Sequence, residues 1–130
     1  MNYAEIPRNI EAIARNIVDA GFQVHSALGP GLLESAYEHC LAYELETRGY
    51  AVRRQVALPI VYGAVKLDAG YRIDLMVAES IVLEVKSVEA LAPVHQAQLL
   101  TYLKLSRCRL GFLMNFNVPL FKQGLKRMVL

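Results

Sequence analysis

The stretch YRIDLMVAESIVLEVKS, Tyr71 to Ser87, decides the fold, because it has the pattern of two strands joined by a tight turn. Most of its residues are apolar, yet Asp74, Glu84 and Lys86 interrupt them. If the turn is centred on Glu79, Asp74 lies directly opposite Glu84 in the hairpin. Directly opposed side chains have Cβ atoms about 4.5–5.5 Å apart, so this hairpin would hold two carboxylates close together.

Two like charges at this spacing on a partly buried sheet repel each other and lose hydration. A hard divalent cation with oxygen ligands, Mg²⁺ above all, would satisfy the pair. Lys86 lies two residues beyond Glu84 and shares its face of the strand, where it could orient or deprotonate a water or stabilise charge on a phosphate. The alternative is a solvent-facing strand edge with an ordinary ion pair, and a one-residue slip in register would separate the two carboxylates.

Length and composition predict one globular domain over residues 1–130, since 55% of the 130 residues are hydrophobic and 20% are charged. No apolar run approaches the ~20 residues that span a bilayer, so we expect no membrane partner. The first residues lack a basic segment followed by an apolar one, which argues against a secretory signal. Cys40 and Cys108 form no Cys-x-x-Cys pair, so the sequence indicates neither a zinc site nor a disulfide framework, and we expect a cytoplasmic protein.

Charge is distributed unevenly along the chain. The net charge is +2, but residues 90–130 contain no acidic side chain. The basic residues of this segment are Lys104, Arg107, Arg109, Lys122, Lys126 and Arg127. This predicts either a surface that faces phosphate groups or an ordinary solvated face.

Apolar spacing predicts elements in the order α-α-β-β-β-β-α-β-β, a mixed α/β domain. The predicted helices are Asn9–Leu28, Leu32–Arg48 and Pro93 to about Ser106. Residues 51–61 are predicted to form a strand that Pro59 interrupts, at a sheet edge or a bulge. The other predicted strands are Val65–Leu67, the two halves of the opening stretch, Arg109–Asn115 and one in the C-terminal tail.

The third predicted helix, PVHQAQLLTYLKLS, places Gln98 and Tyr102 four residues apart and therefore on one face. An Asp, then Glu-x-Lys, then a helix with Gln-x-x-x-Tyr resembles the PD-(D/E)XK nuclease superfamily, in particular its branch of exonuclease modules from bacterial recombination enzymes. Upstream, GLLESAY has Gly31, Glu34 and Tyr37 at the spacing of the GxxExxY family. The resemblance extends over nearly the whole chain, from about residue 10 to residue 130.

The resemblance implies a restriction-endonuclease-like fold, a mixed β-sheet flanked by helices around an αβββαβ core. It implies that Asp74, Glu84 and the backbone carbonyl of Val85 are metal ligands. It further implies that Glu34 is an outer or additional metal ligand and that Lys86 is the catalytic lysine. By the same resemblance, Gln98 orients Lys86 or the scissile phosphate, and Tyr102 contacts or positions the substrate. The implied activity is Mg²⁺-dependent hydrolysis of phosphodiester bonds in nucleic acid, DNA by expectation, with Mn²⁺ as a substitute.

Several residues have two interpretations. Tyr37 lies on the apolar stripe of its helix and is expected in the core, and Gly31 is expected to permit a chain bend. His95 either reaches the site or caps its helix. Arg72 lies opposite Lys86 in the assumed register. The two residues form either a basic pair near the metal or a pair that faces solvent. Together with Lys104 and Arg107, Arg72 and His95 are the residues predicted to contact nucleic acid.

Two other functions compete with a nuclease. The chain could be a non-catalytic module that binds nucleic acid or assembles a complex and retains the nuclease fold. It could also hydrolyse a small nucleotide, but Gly29-Pro30-Gly31 lacks the Lys and Ser/Thr of a phosphate-binding loop, so this ranks last. A nuclease core of this size is expected to form a homodimer or to join a larger protein complex.

Overall fold

The computed structural model describes residues 5–130, and residues 1–4, part of the segment inspected for a secretory signal, lie outside the described part. The helices are α1 (Arg8–Leu28), α2 (Glu34–Thr47) and α3 (Pro93–Ser106). The strands are β1 (Val52–Ala57), β2 (Ile60–Tyr62), β3 (Val65–Leu67), β4 (Arg72–Val77), β5 (Ile81–Lys86), β6 (Leu110–Asn115) and β7 (Leu125–Val129). A short 3-10 helix, Phe121–Gly124, precedes β7. The predicted order of helices and strands is confirmed, except that the first predicted strand is divided into two.

Five strands form one mixed sheet in the order β1-β4-β5-β6-β7. Only β5 and β6 run parallel, because α3 carries the chain from one to the other. This is the mixed sheet with flanking helices that the resemblance to the nuclease superfamily predicts. The hairpin of β4 and β5 lies at its centre and pairs Leu75 with Leu83 and Val77 with Ile81, so the predicted register is confirmed.

The predicted strand over residues 51–61 is two strands, which end and begin on either side of Leu58 and Pro59. Proline has no N–H to donate to a ladder, which accounts for the break. β1 forms an edge of the main sheet, whereas β2 leaves that sheet and pairs with β3 as a separate hairpin. We call this two-stranded hairpin the β2–β3 arm; all but the first of its strand residues are exposed.

Helices cover the two faces of the main sheet, and each face has its own apolar core. One core joins α1 and α2 to side chains such as Leu75, Leu83 and Phe112. The second joins Leu99, Tyr102 and Leu103 of α3 to buried side chains of β4, β5 and β6. No helix in residues 5–130 combines the length and the apolar character needed to cross a membrane.

Gly111 allows α3 to pack close to the sheet. A Cβ atom at this position would lie 3.0 Å from the Leu99 side chain and 3.1 Å from that of Leu103. Because contacts this short require a neighbour to move, a larger residue would push α3 away from β5 and β6. The close approach brings the polar face of α3, with Gln98 and Tyr102, toward the polar end of the central hairpin.

Candidate active site

Asp74 and Glu84 lie where the backbone pairing of β4 and β5 ends. The ladder runs from Val77–Ile81 to Leu75–Leu83. At the next position, the Asp74 N–H donates to Glu84 Oε2 at 2.9 Å. The Val85 N–H donates to Asp74 Oδ2 at 2.8 Å. Each carboxylate therefore takes the place of a backbone acceptor on the opposite strand, and the two acids are held together.

Both acids are held in an environment that disfavours negative charge. Glu84 is only 3% exposed. Burial raises its pKa to about 8, and the charge of Asp74 adds to the effect. Burial likewise raises the pKa of Asp74; the Val85 N–H opposes the shift, and the charge of Glu38 adds to it. The pair is thus stable when it holds a proton or when a cation lies beside it.

Lys86 is the positive charge nearest to this pair along β5. It is half-buried, shares the strand face of Glu84, and lowers the pKa of both Asp74 and Glu84. Val85 lies between Glu84 and Lys86 and is 1% exposed. The β4–β5 ladder does not extend to Arg72, which pairs instead with Ala57 of β1, so Arg72 and Lys86 are not a ladder pair.

Gln98 and Tyr102 lie together on α3, which packs on the sheet face that carries Val82. Gln98 Nε2 donates to the Tyr102 hydroxyl at 3.1 Å, which confirms that the two side chains share one helix face. Burial raises the pKa of Tyr102, and the charges of Glu84 and Asp74 raise it further. The two acids therefore act electrostatically on the Tyr102 hydroxyl.

Glu34 reaches the end of β5 from the start of α2. Its Oε2 accepts the Ser87 N–H at 3.2 Å. The loop before α2 is fixed by Tyr37, whose hydroxyl donates to the Gly29 carbonyl at 2.5 Å and accepts the Leu32 N–H at 3.1 Å. Tyr37 is fully buried and stacks on Phe116 at 4.6 Å, so the predicted core role is confirmed. Gly31 has φ +101°, as a bend that favours glycine requires.

Two residues beside the site were not identified from the sequence. Glu38 is 6% exposed and accepts hydrogen bonds from Arg54 at 2.7 Å and Gln55 at 2.8 Å. The Gln55 side-chain amide also lies 3.4 Å from Asp74 Oδ1, so it separates two carboxylates. The only sequence signal for Glu38 is its position four residues after Glu34, on the same face of α2.

Gln55 has φ +53° in the middle of β1. Residues other than glycine rarely adopt this left-handed region, and the conformation costs about 1–3 kcal/mol. It falls at the β1 position between the pairs Arg54–Leu75 and Val56–Ile73, opposite Asp74. The strained backbone therefore turns the Gln55 amide toward Glu38 and Asp74.

The residues predicted to contact nucleic acid are dispersed. His95 Nδ1 accepts the Ala92 N–H at 2.9 Å, so His95 caps α3. Lys104 is exposed on α3. Arg107 lines a surface cavity with Glu79 and Ser80 at the turn of the central hairpin. That turn lies at the opposite end of β5 from Glu84. At the usual rise per strand residue, Ser80 and Glu84 are about 13 Å apart.

The donor chemistry at the acid pair fits a hard divalent cation. Asp74 and Glu84 offer carboxylate oxygens from two adjacent strands, and a cation beside them would offset the burial that raises the pKa of each. Across residues 5–130, no group of three or more His, Cys, Asp or Glu side chains is arranged to hold a metal ion. A cation here would therefore depend on two carboxylates, with backbone carbonyls and water for its other ligands.

The pH dependence of stability tests the burial of Glu84. An unfolded glutamate titrates near its ordinary value, 4.5, whereas folded Glu84 titrates at about 8. The folded state holds the extra proton between these values, so in EDTA the free energy of unfolding falls as pH rises from about 4.5 to 8. Glu84→Gln should flatten this dependence and raise the melting temperature at pH 8. Urea unfolding at several pH values measures it; equal slopes in both proteins would contradict the account.

Gln55→Glu tests the amide that separates Glu38 from Asp74. The isosteric change replaces a donor with a third carboxylate and leaves Glu38 Oε1 without its partner, which should cost about 1–3 kcal/mol of stability. Urea unfolding in EDTA at low and high salt measures the loss, which should shrink at high salt. Gln23→Glu, on an exposed position of α1, is the matched control. An equal effect of the two substitutions would show that Gln55 has no special position.

Comparison with known families gives one match. The model of the PD-(D/E)XK nuclease superfamily matches residues 11–128. Searches of curated proteins and of solved structures found no match to the chain. The match supports the superfamily and leaves the narrower GxxExxY assignment a prediction.

Proposed function

The chain belongs to the PD-(D/E)XK nuclease superfamily, and we propose that it is a divalent-metal-dependent nuclease whose centre is the pair Asp74 and Glu84. The observation that carries this proposal is the cross-strand acid pair, in which Glu84 is buried and Asp74 is half-buried, with Lys86 on the same strand face as Glu84. Carboxylates with raised pKa values that are held together beside a lysine are typical of functional sites.

In this proposal Asp74, Glu84 and the Val85 carbonyl hold Mg²⁺, with Mn²⁺ as a substitute. Glu34, whose Oε2 already accepts the Ser87 N–H, is an outer ligand reached through water. The ion supplies a Lewis acid that offsets negative charge developing on the scissile phosphate.

The remaining residues position the reacting groups. Lys86 orients an attacking water or accepts its proton, and its ammonium form stabilises the phosphate oxygens. Gln98 directs its amide toward Lys86 or the phosphate while it donates to the Tyr102 hydroxyl. Tyr102 contacts the substrate with its protonated hydroxyl, whose pKa burial and the two acids raise above the ordinary value.

The substrate in this proposal is nucleic acid, and DNA in particular. The exposed side chains of Arg72 and of Lys104, the latter in the acid-free segment 90–130, provide positive charge for phosphates. His95 and Arg107 complete the proposed contacts. His95 contacts the nucleic acid from the start of α3. Arg107 contacts it only when the nucleic-acid strand is long enough to reach the turn of the hairpin. A cytoplasmic location and assembly as a homodimer or within a larger complex belong to the same proposal.

Lys86→Ala should lower cleavage by about 10²–10⁴-fold, the usual contribution of a positioned acid–base group, without unfolding the protein. The assay uses labelled single-stranded, duplex and branched DNA, and RNA, each with Mg²⁺, Mn²⁺ or EDTA. Lys122→Ala, at an exposed lysine of the 3-10 helix, should cleave like the wild type.

Circular dichroism and melting temperature establish that both lysine variants fold. Metal-dependent cleavage that Lys86→Ala abolishes supports the nuclease. Cleavage that persists in Lys86→Ala contradicts the role of the lysine. Binding of nucleic acid without any cleavage by the wild type favours the non-catalytic module, and cleavage of free nucleotides alone favours the small-nucleotide phosphohydrolase.

A further inference from the structure

A cavity of about 350 Å³ lies directly beside the proposed catalytic groups. Its lining residues come from the β2–β3 arm, the residue before β4, and one face of α3: Ile60, Tyr71, Gln98, Thr101, Tyr102 and Leu105. Its volume is within the range of about 300–1,000 Å³ that is typical of small-ligand sites. We call it the Tyr71 pocket.

The Tyr71 pocket contains two of the residues assigned to the proposed catalytic site. Gln98 and Tyr102 line the pocket and are hydrogen-bonded to each other at 3.1 Å. The charges of Glu84 and Asp74 also raise the pKa of Tyr102. A group in the pocket would therefore contact the same two side chains to which the proposed function assigns contacts with the substrate.

The lining suits a flat, mainly apolar group with polar edges. Tyr71 offers a ring that is 45% exposed, and Leu105 and Ile60 add aliphatic surface. Gln98 and Thr101 provide an amide and a hydroxyl, which can donate and accept hydrogen bonds at the edge of the bound group. Aromatic rings paired with a few side-chain amides and hydroxyls are the means by which proteins bind unstacked bases.

The surroundings favour a polyanion over an apolar protein partner. The two segments that supply most of the lining, residues 60–67 and 93–106, contain Lys66 and Lys104 and no acidic residue. Arg72, which is exposed, directly follows Tyr71. An apolar pocket whose lining segments carry exposed positive charge and no acid is complementary to a base attached to a phosphate backbone.

We propose that the Tyr71 pocket binds one unstacked nucleobase next to the scissile phosphate, so that the substrate is single-stranded or frayed nucleic acid. This proposal rests on the proposed function and specifies its substrate. A base within a duplex is stacked on both faces and paired at its edge, so it cannot enter a pocket of this kind unless it leaves the helix. Intact duplex is therefore a poor substrate.

The test measures binding, so that it does not depend on cleavage. Lys86→Ala serves as the background in all proteins, with Mg²⁺ present. The probes are a labelled oligothymidylate, an oligomer of the same length in which every base is removed, and a blunt duplex. Tyr71→Ala should weaken oligothymidylate binding about five- to hundredfold, the effect of losing one stacked base, and should leave binding of the abasic oligomer unchanged.

Matched variants separate stacking from folding. Tyr71→Phe retains the ring and should bind like the parent, whereas Tyr43→Ala removes an exposed ring of α2 outside the pocket and should have no effect. The chain contains no tryptophan, so Tyr71→Trp introduces a single fluorophore. Its emission should be quenched by oligothymidylate but not by the abasic oligomer, and Tyr43→Trp should respond to neither.

Three results would overturn the assignment of the pocket to a base. Tyr71→Ala could weaken binding of both oligomers equally or of neither, or the parent could bind no oligomer. A concentration-dependent dimer that Tyr71→Ala dissociates would assign the pocket to a second copy of the chain and overturn it as well. The two proposals can fail separately. Base-dependent binding without cleavage by the wild type supports the pocket and rejects the nuclease. Cleavage that Tyr71→Ala leaves unchanged supports the nuclease and rejects the pocket.

Discussion

The structure depends on one electrostatic constraint, the close approach of a buried and a half-buried carboxylate at the end of the central hairpin. Asp74 and Glu84 each accept a backbone N–H from the opposite strand, at 2.8 and 2.9 Å, at the position where the β4–β5 ladder stops. Their mutual repulsion and loss of hydration oppose folding of the metal-free chain. Lys86 lowers the pKa of both acids, and the Gln55 amide donates to Asp74 at 3.4 Å. These groups offset part of the repulsion between the two carboxylates.

The two sides of the site differ in charge. On the α2 side, Glu34 reaches the end of β5, and Glu38 accepts hydrogen bonds from Arg54 and Gln55. On the α3 side, residues 93–106 contain no acid. A polyanion would therefore approach from the α3 side, where the Tyr71 pocket also lies, while the α2 side strengthens the attraction for a cation.

The sequence predicted the parts of the site that depend on local spacing. The turn after Val77 fixes the register of Asp74 against Glu84, and the helical repeat fixes Gln98 beside Tyr102. The resemblance then supplied the roles, because strand and helix periods alone do not distinguish a metal site from an ion pair.

The parts that were missed depend on tertiary contacts or on unusual backbone conformation. No pattern in the sequence predicts that Gln55 has φ +53° or that its amide lies between Glu38 and Asp74. The β2–β3 arm was predicted as strands, but its separation from the main sheet follows from the break at Pro59 and from pairing that sequence periodicity does not specify. The position of Arg107 at the far end of the hairpin likewise depends on where α3 ends relative to the turn.

Calorimetric titration of Mg²⁺ into the wild type and into Asp74→Asn at neutral pH tests the central claim most directly. The account predicts that the wild type binds the ion and that Asp74→Asn, which removes one carboxylate charge but retains the shape of the side chain, does not. The absence of binding by the folded wild type, or equal binding by the two proteins, would contradict the assignment of a cation to this pair.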